Sequence, residues 1–335
     1  MSEDLGIIAV NIPSETATLK TVVVCLANPM SVFSFLRHGG FDLAAIYQGW
    51  HNRWALVHDY HKVRQQQQAF FELLAAHGVR VLLAEPVADC LTQHYTRDTG
   101  FVIDDTFFCA NLRRRSRQRE LEGLRNLLPR FSRVVWLERG SIEGGDVMVD
   151  ERYVIVGLGE ETDKAGVDSL RRRLAELGSE REVVALEFAH RGIIHLDTRF
   201  NIVGEGVALI HPKSFKRASL QWLERHFDLI EATAAEAANV EINTLSLSPR
   251  KVIMSEQSQR LAAQLMAKGL EPILVDYSEV TKLPGSFRCT TLPIEREAFG
   301  VRQRRCAGTR SLRAMATPAR NVSSELLPAA PQRSR

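Results

Sequence analysis

"DVMVDERYVIVG", residues 146–157, sets two short apolar runs on either side of the polar triplet Asp150-Glu151-Arg152. Two apolar segments split by a tight polar turn read as a β-hairpin. The chain then carries apolar residues at helical spacing over 164–177 and a strand-like run, "REVVALEF", at 181–188. Hairpin, helix, strand is one unit. It recurs in "RFNIVGEGVALIHP" (199–212, turn at Gly204-Glu205-Gly206) with a helical run at 216–226. Further helical runs at 62–77, 118–128 and 257–269 precede the strands "VRVLLAEP", "SRVVWLE" and "LEPILVDY". Five helical runs repeating every 40–55 residues predict an α/β array of like modules. Sequence identity between the modules is not visible.

With 335 residues and 45% hydrophobic content the chain has enough apolar side chains for a large core. The start "MSEDLGIIAV" is acidic where a signal peptide is basic, and the apolar run "TVVVCLAN" (21–28) is too short to span a bilayer. The expectation is a cytoplasmic protein without a membrane partner. Cys25, Cys90, Cys109, Cys289 and Cys306 show no CxxC spacing, which argues against a disulfide framework or a zinc site. The chain carries a formal charge of +3, but residues 297–335 hold eight arginines against Glu297 and Glu325, formally +6, which leaves −3 for residues 1–296. The body therefore lacks the basic balance of a nucleic-acid binder. The tail reads as disordered, and "QQQQ" (65–68) reads as a solvated helix face. No loop has the glycine pattern of a nucleotide site.

Three stretches crowd carboxylates, His or Gly just before an apolar hairpin strand: "HYTRDTGFV" (94–102), "SIEGGDVMV" (141–149) and "GIIHLDTRF" (192–200). A fourth, "LPGSFRCTTLPIER" (283–296), places Cys289 in the same position on a polar turn, where it does not read as a buried core thiol. A thiolate is a nucleophile, His195 can move protons near neutral pH, and Glu143 can orient the imidazole. Asp98 and Asp197 do not fit an acyl-transfer triad, since negative charge opposes a developing oxyanion. They do fit a planar cation, because a guanidinium matches carboxylates edge to edge.

The combination RD, EGGD, HLDT and GSxRCxT resembles the guanidino-group modifying superfamily of arginine deiminases, dimethylarginine dimethylaminohydrolases, agmatine deiminases and amidinotransferases. The resemblance spans about residues 20–296. It implies an α/β fold of five ββαβ modules in a pentein-like propeller with pseudo-fivefold symmetry, preceded by an extension (1–19) and followed by the basic tail (297–335). It also implies Cys289 as nucleophile, His195 as general acid/base, Glu143 as its partner, and Asp98 and Asp197 as guanidinium ligands. Arg117 would lie at the substrate's amino-acid end and Tyr95 beside the clamp. The aspartate at 197 sides with arginine deiminases and amidinotransferases, hence with an unsubstituted guanidinium. One departure is Glu161 in "GLGEET", where deiminases of free arginine tend to carry an arginine for the α-carboxylate. Either another arginine takes that role, or the substrate's far end is an amine or neutral group.

The expected activity is hydrolysis of a small guanidino compound through a thiouronium intermediate, with no metal or organic cofactor. Amidino transfer to an amine and a non-catalytic ligand-binding protein are the alternatives. A homodimer is compatible with the sequence.

Overall fold

The computed structural model describes residues 6–29, 59–88 and 90–297. The tail expected to be disordered, beyond residue 297, lies outside the described residues. Strand β1 (Thr18–Val24) is flanked by the last strand, β15 (Leu292–Glu297), antiparallel, and by β2 (Arg80–Leu83), parallel. Among the described residues, four further sheets of three strands repeat this arrangement. They comprise β3 (Gly100–Ile103), β4 (Thr106–Cys109) and β5 (Val134–Trp136); β6 (Val147–Val149), β7 (Tyr153–Leu158) and β8 (Glu182–Glu187); β9 (Phe200–Gly204), β10 (Val207–Ile210) and β11 (Asp228–Glu231); and β12 (Leu245–Ser246), β13 (Lys251–Ser255) and β14 (Glu271–Val275). The middle strand always pairs antiparallel with its hairpin partner and parallel with the third strand.

A parallel neighbour needs a crossover, and helices supply most of them. Helix α1 (Tyr60–Ala76) precedes β2 and is capped by Asp59, whose carboxylate accepts from the amides of His61 and Lys62. The run expected to be helical at 118–128 is instead a single turn, α2 (Arg115–Gln118), followed by 3₁₀ turns at Arg119–Leu124 and Leu128–Arg130. Two features break it. Gly123, required by the close approach of the Gln93 side chain and the Glu85 carbonyl, is a poor helix former, and Pro129 cannot donate to a helical ladder. Helices α3 (Lys164–Glu176), α4 (Arg217–His226) and α6 (Gln259–Ala267) cross from β7 to β8, β10 to β11 and β13 to β14, while the short α5 (Ala234–Ala238) follows β11.

The glutamine run is not a solvated face. Gln66 and Gln67 are buried: Gln67 Oε1 accepts the Ala27 amide, and Gln66 Oε1 accepts those of Glu279 and Val280. The segment before β1 also enters the core through Ile8, Val10 and Ile12, and the Asn11 side-chain amide donates to the Arg296 carbonyl. Among the described residues no helix is long and apolar enough to cross a membrane.

Three 3₁₀ turns, at Thr96–Thr99, Gly144–Asp146 and Leu196–Thr198, lead directly into β3, β6 and β9 and pack against one another. They carry Asp98, Glu143 with Asp146, and His195 with Asp197. The like position before β15 is the turn at 287–290, held by hydrogen bonds from Thr290 and Thr291 to carbonyls three and four residues back.

Candidate active site

The glycines of "EGGD" let these turns close on each other. A Cβ on Gly144 would lie 2.0 Å from the Arg97 carbonyl, and one on Gly145 would lie 2.6 Å from His195 Cγ and 2.7 Å from Asp98 Oδ1. Only a bare backbone admits the imidazole this closely. His195 then sits between two carboxylates, Nε2 3.1 Å from Glu143 Oε2 and Nδ1 3.4 Å from Asp98 Oδ1. Burial alone would push the imidazole pKa down, but Asp98, the Glu143 hydrogen bond and Asp146 outweigh it and hold the ring well above its ordinary value. Asp146, 0% exposed, accepts the Leu196 amide through Oδ1, and burial raises its carboxyl to about 7.

Cys289 is 3% exposed, which corrects the expectation that it is not buried. What covers it is mixed: Tyr95 and Leu283 on the apolar side, and Asp197, whose carboxylate oxygens lie 3.6 and 3.7 Å from Sγ. Burial, then Asp197, then Asp98 raise the thiol well above its usual value. At neutral pH the group is therefore a protonated thiol. Tyr95 packs its ring where a side chain on Gly285 would fall, at 2.5 Å, and its hydroxyl has no hydrogen-bond partner among the described residues.

The two aspartates expected to grip a cation already hold internal guanidinium groups. Arg288 bridges Asp197 Oδ2 (2.9 Å) and Glu15 Oε1 (3.1 Å) and donates to the Val147 carbonyl. Arg117 Nη1 donates to Asp98 Oδ2 (2.9 Å) and, at 3.4 Å, to Glu143 Oε2, while its Nε and Nη2 pair with both oxygens of Glu120 at 3.1 and 2.8 Å. Glu161, the departure from the arginine pattern, is buried and accepts from Arg114 Nε at 2.7 Å. Asp98, Glu143 and His195 could gather a metal cation, since one ligand atom of each lies within 4.8 Å of the others, but Arg117 brings its own positive charge to two of them.

Sequence reasoning missed several residues. Asn243 Oδ1 accepts the amides of Ser286 and Cys289 at 3.0 Å, and its Nδ2 donates to the Asp197 carbonyl. It stands before the β12–β13 hairpin, where the other modules carry their carboxylates or histidine, so its position in the repeat was the available signal. Glu15 and Glu120 had none: one lies in the segment set apart as an extension, the other in a charge-rich run.

A family model described as "N,N dimethylarginine dimethylhydrolase, eukaryotic" matches residues 51–296. The protein YkgA of Bacillus subtilis (strain 168) is 33% identical over 235 residues, 69% of this chain and 79% of its own. The N(G),N(G)-dimethylarginine dimethylaminohydrolase of Streptomyces coelicolor is 28% identical over 68% of this chain and 84% of its own. Arginine deiminase of Listeria monocytogenes serotype 4b is 30% identical over 61% of each chain. In structure, the amidinotransferase SxtG from Microseira wollei superposes with a TM-score of 0.69 at 18% identity, covering 87% of this chain and 98% of that one. With five repeated sheets, a buried cysteine beside an aspartate and a histidine between two carboxylates, the chain belongs to the dimethylarginine dimethylaminohydrolase family of the guanidino-group modifying superfamily.

Proposed function

We propose that the protein hydrolyses a small guanidino compound, using Cys289 as nucleophile, His195 as general acid and base, and Asp98 and Asp197 as guanidinium ligands. The five like sheets are read as modules of one closed propeller, residues 20–296, whose turns meet at a single end. The observation that carries the reading is the Cys289 thiol held 3.6 Å from the Asp197 carboxylate and within the field of Asp98, which with Glu143 flanks the His195 ring.

The charges explain why the substrate is a cation. Burial and two carboxylates suppress ionisation of the thiol; a guanidinium seated on Asp98 and Asp197 offsets those charges and lets the thiol proton pass to solvent. Activation is thereby tied to substrate binding. The Cys289 sulfur attacks the guanidinium carbon, a C–S bond forms, and the C=N π pair moves to nitrogen. His195, protonated at rest, donates to the departing amine as the C–N bond breaks and the thiouronium forms. Neutral His195 then takes a proton from water, whose oxygen attacks the same carbon. The C–S bond breaks, the hydroxyl proton of the adduct passes to the departing sulfur to restore the thiol, and a neutral ureido product remains.

The likeness to SxtG keeps amidino transfer as the second reading, in which an amine replaces water. Rapid-quench product analysis separates the two across arginine, its methylated forms, agmatine and guanidino acids. Ureide plus ammonia or alkylamine without any added amine supports hydrolysis. Turnover that starts only when an acceptor amine is present supports transfer. No consumption of any compound overturns the proposal.

A further inference from the structure

We infer that a single chloride-sized anion binds in the cavity between β3, β6 and β15, held by the guanidinium groups of Arg97 and Arg296. The cavity measures about 10 Å³, room for one small particle, and its walls include Ile12 and Glu15 from the segment ahead of β1. Arg97 and Arg296 are 4% and 1% exposed, and their side chains spend their hydrogen bonds on neutral carbonyls: Arg97 Nε donates to that of Arg288, and Arg296 Nη1 to those of Ala17 and Ser246. Three nitrogens are left over. Arg97 Nη2, Arg296 Nη2 and Arg296 Nε have no hydrogen-bond partner among the described residues. Buried N–H groups are ordinarily paired with protein, water or an ion.

Charge decides what the ligand is. Arg97 lies in the field of Arg288, Glu15, Asp197 and Arg296, and Arg288 bridges the two carboxylates through its own nitrogens. Asp98, next along the chain to Arg97, is taken up by Arg117 and His195. Three guanidinium groups against two carboxylates leave one positive charge, and a buried charge without a counter-charge is costly. Burial, reinforced by Arg288, pulls Arg97 down to about 9, and burial pulls Arg296 down to about 10. Guanidinium groups with enough negative charge beside them move the other way, as Arg117 does where Glu120, Asp98 and Glu143 outweigh its burial. Water would accept the stray N–H groups and leave the charge, whereas a monovalent anion answers both. A tetrahedral oxyanion exceeds the space, and its second charge would meet Glu15.

Urea unfolding of the full chain tests the site, with chloride varied from about 1 to about 300 mM against gluconate at constant ionic strength. An anion bound only by the folded state raises the folding constant about tenfold for each tenfold rise in chloride above Kd, so the midpoint climbs with the logarithm of chloride, and bromide acts likewise. Arg296→Gln and Arg97→Gln each remove the surplus charge, and their midpoints should stay flat across the same series. A wild-type midpoint indifferent to chloride overturns the inference, as does a dependence that survives both substitutions, which is a general salt effect. Wild-type crystals grown in bromide decide the matter if neither variant folds. The expected result is an anomalous peak within hydrogen-bonding reach of Arg97 Nη2 and Arg296 Nη2; a water in that position overturns the inference. A peak there without any chloride dependence of the midpoint is an adventitious ion only and overturns it too.

Discussion

Gly145→Ala adds one methyl group, and the structure says where it goes. The new Cβ would stand 2.6 Å from His195 Cγ, 2.7 Å from His195 Nδ1 and 2.7 Å from Asp98 Oδ1, against an ordinary contact of 3.4 Å. The ring must retreat by the difference, about 0.8 Å, and it has nowhere to go: Glu143 holds its other edge at 3.1 Å, Arg117 holds Asp98, and His195 is 1% exposed. A misplacement approaching 1 Å costs on the order of 100-fold in rate, and overpacking costs about 1–3 kcal/mol of stability. The assay is kcat/KM for amine release from the best guanidino substrate, beside a urea melt. Gly178→Ala is the control. It ends α3 at φ +74° with nothing within 4 Å, so it should lose about 1–2 kcal/mol of stability and leave kcat/KM within about twofold. A Gly145→Ala enzyme retaining more than about a third of wild-type kcat/KM would refute the close-approach argument.

Asn243→Ala strands the buried amides of Ser286 and Cys289, at about 1–3 kcal/mol each, and should lower kcat while the protein still melts cooperatively; unchanged kcat would remove Asn243 from the positioning of the thiol. Gln67→Ala leaves the Ala27 amide without its acceptor, so the urea midpoint should drop, and an unchanged midpoint would remove that hydrogen bond from the account of stability. Glu15 sits at about 2 instead of 4.5 because Arg288, Arg97 and Arg296 outweigh the effect of its burial. A depressed acid contributes stability that is full above pH 4.5 and lost as pH falls toward 2. Its worth is on the order of 3 kcal/mol, and Glu15→Gln should flatten that acid limb in pH-dependent melts.

The repeat was legible because "DVMVDERYVIVG" and "RFNIVGEGVALIHP" each set a polar turn between apolar strands, so the recurrence of the unit set the period. The strand Asp228–Glu231 was not, since "DLIE" is four residues long with charged ends. The glutamine run misled for a different reason. Gln66 and Gln67 satisfy loop amides, which no hydropathy pattern records. Asp98, Glu143, His195 and Asp197 could be singled out from their motifs because each stands at a turn before a hairpin strand. Their internal partners could not: Glu15 and Glu120 lie 273 and 3 residues from the arginines they hold, one too distant and the other lost among surface-like charges.

The central claim is that Cys289 bonds to a guanidinium carbon. Intact-protein mass spectrometry after brief incubation with guanidino compounds and an acid quench tests it directly, with Cys289→Ser alongside. The account predicts a transient adduct of thiouronium mass that maps to Cys289, decays as product forms, and is absent from the serine variant, which keeps its fold. Product formation by Cys289→Ser, or an adduct on another residue, would contradict it.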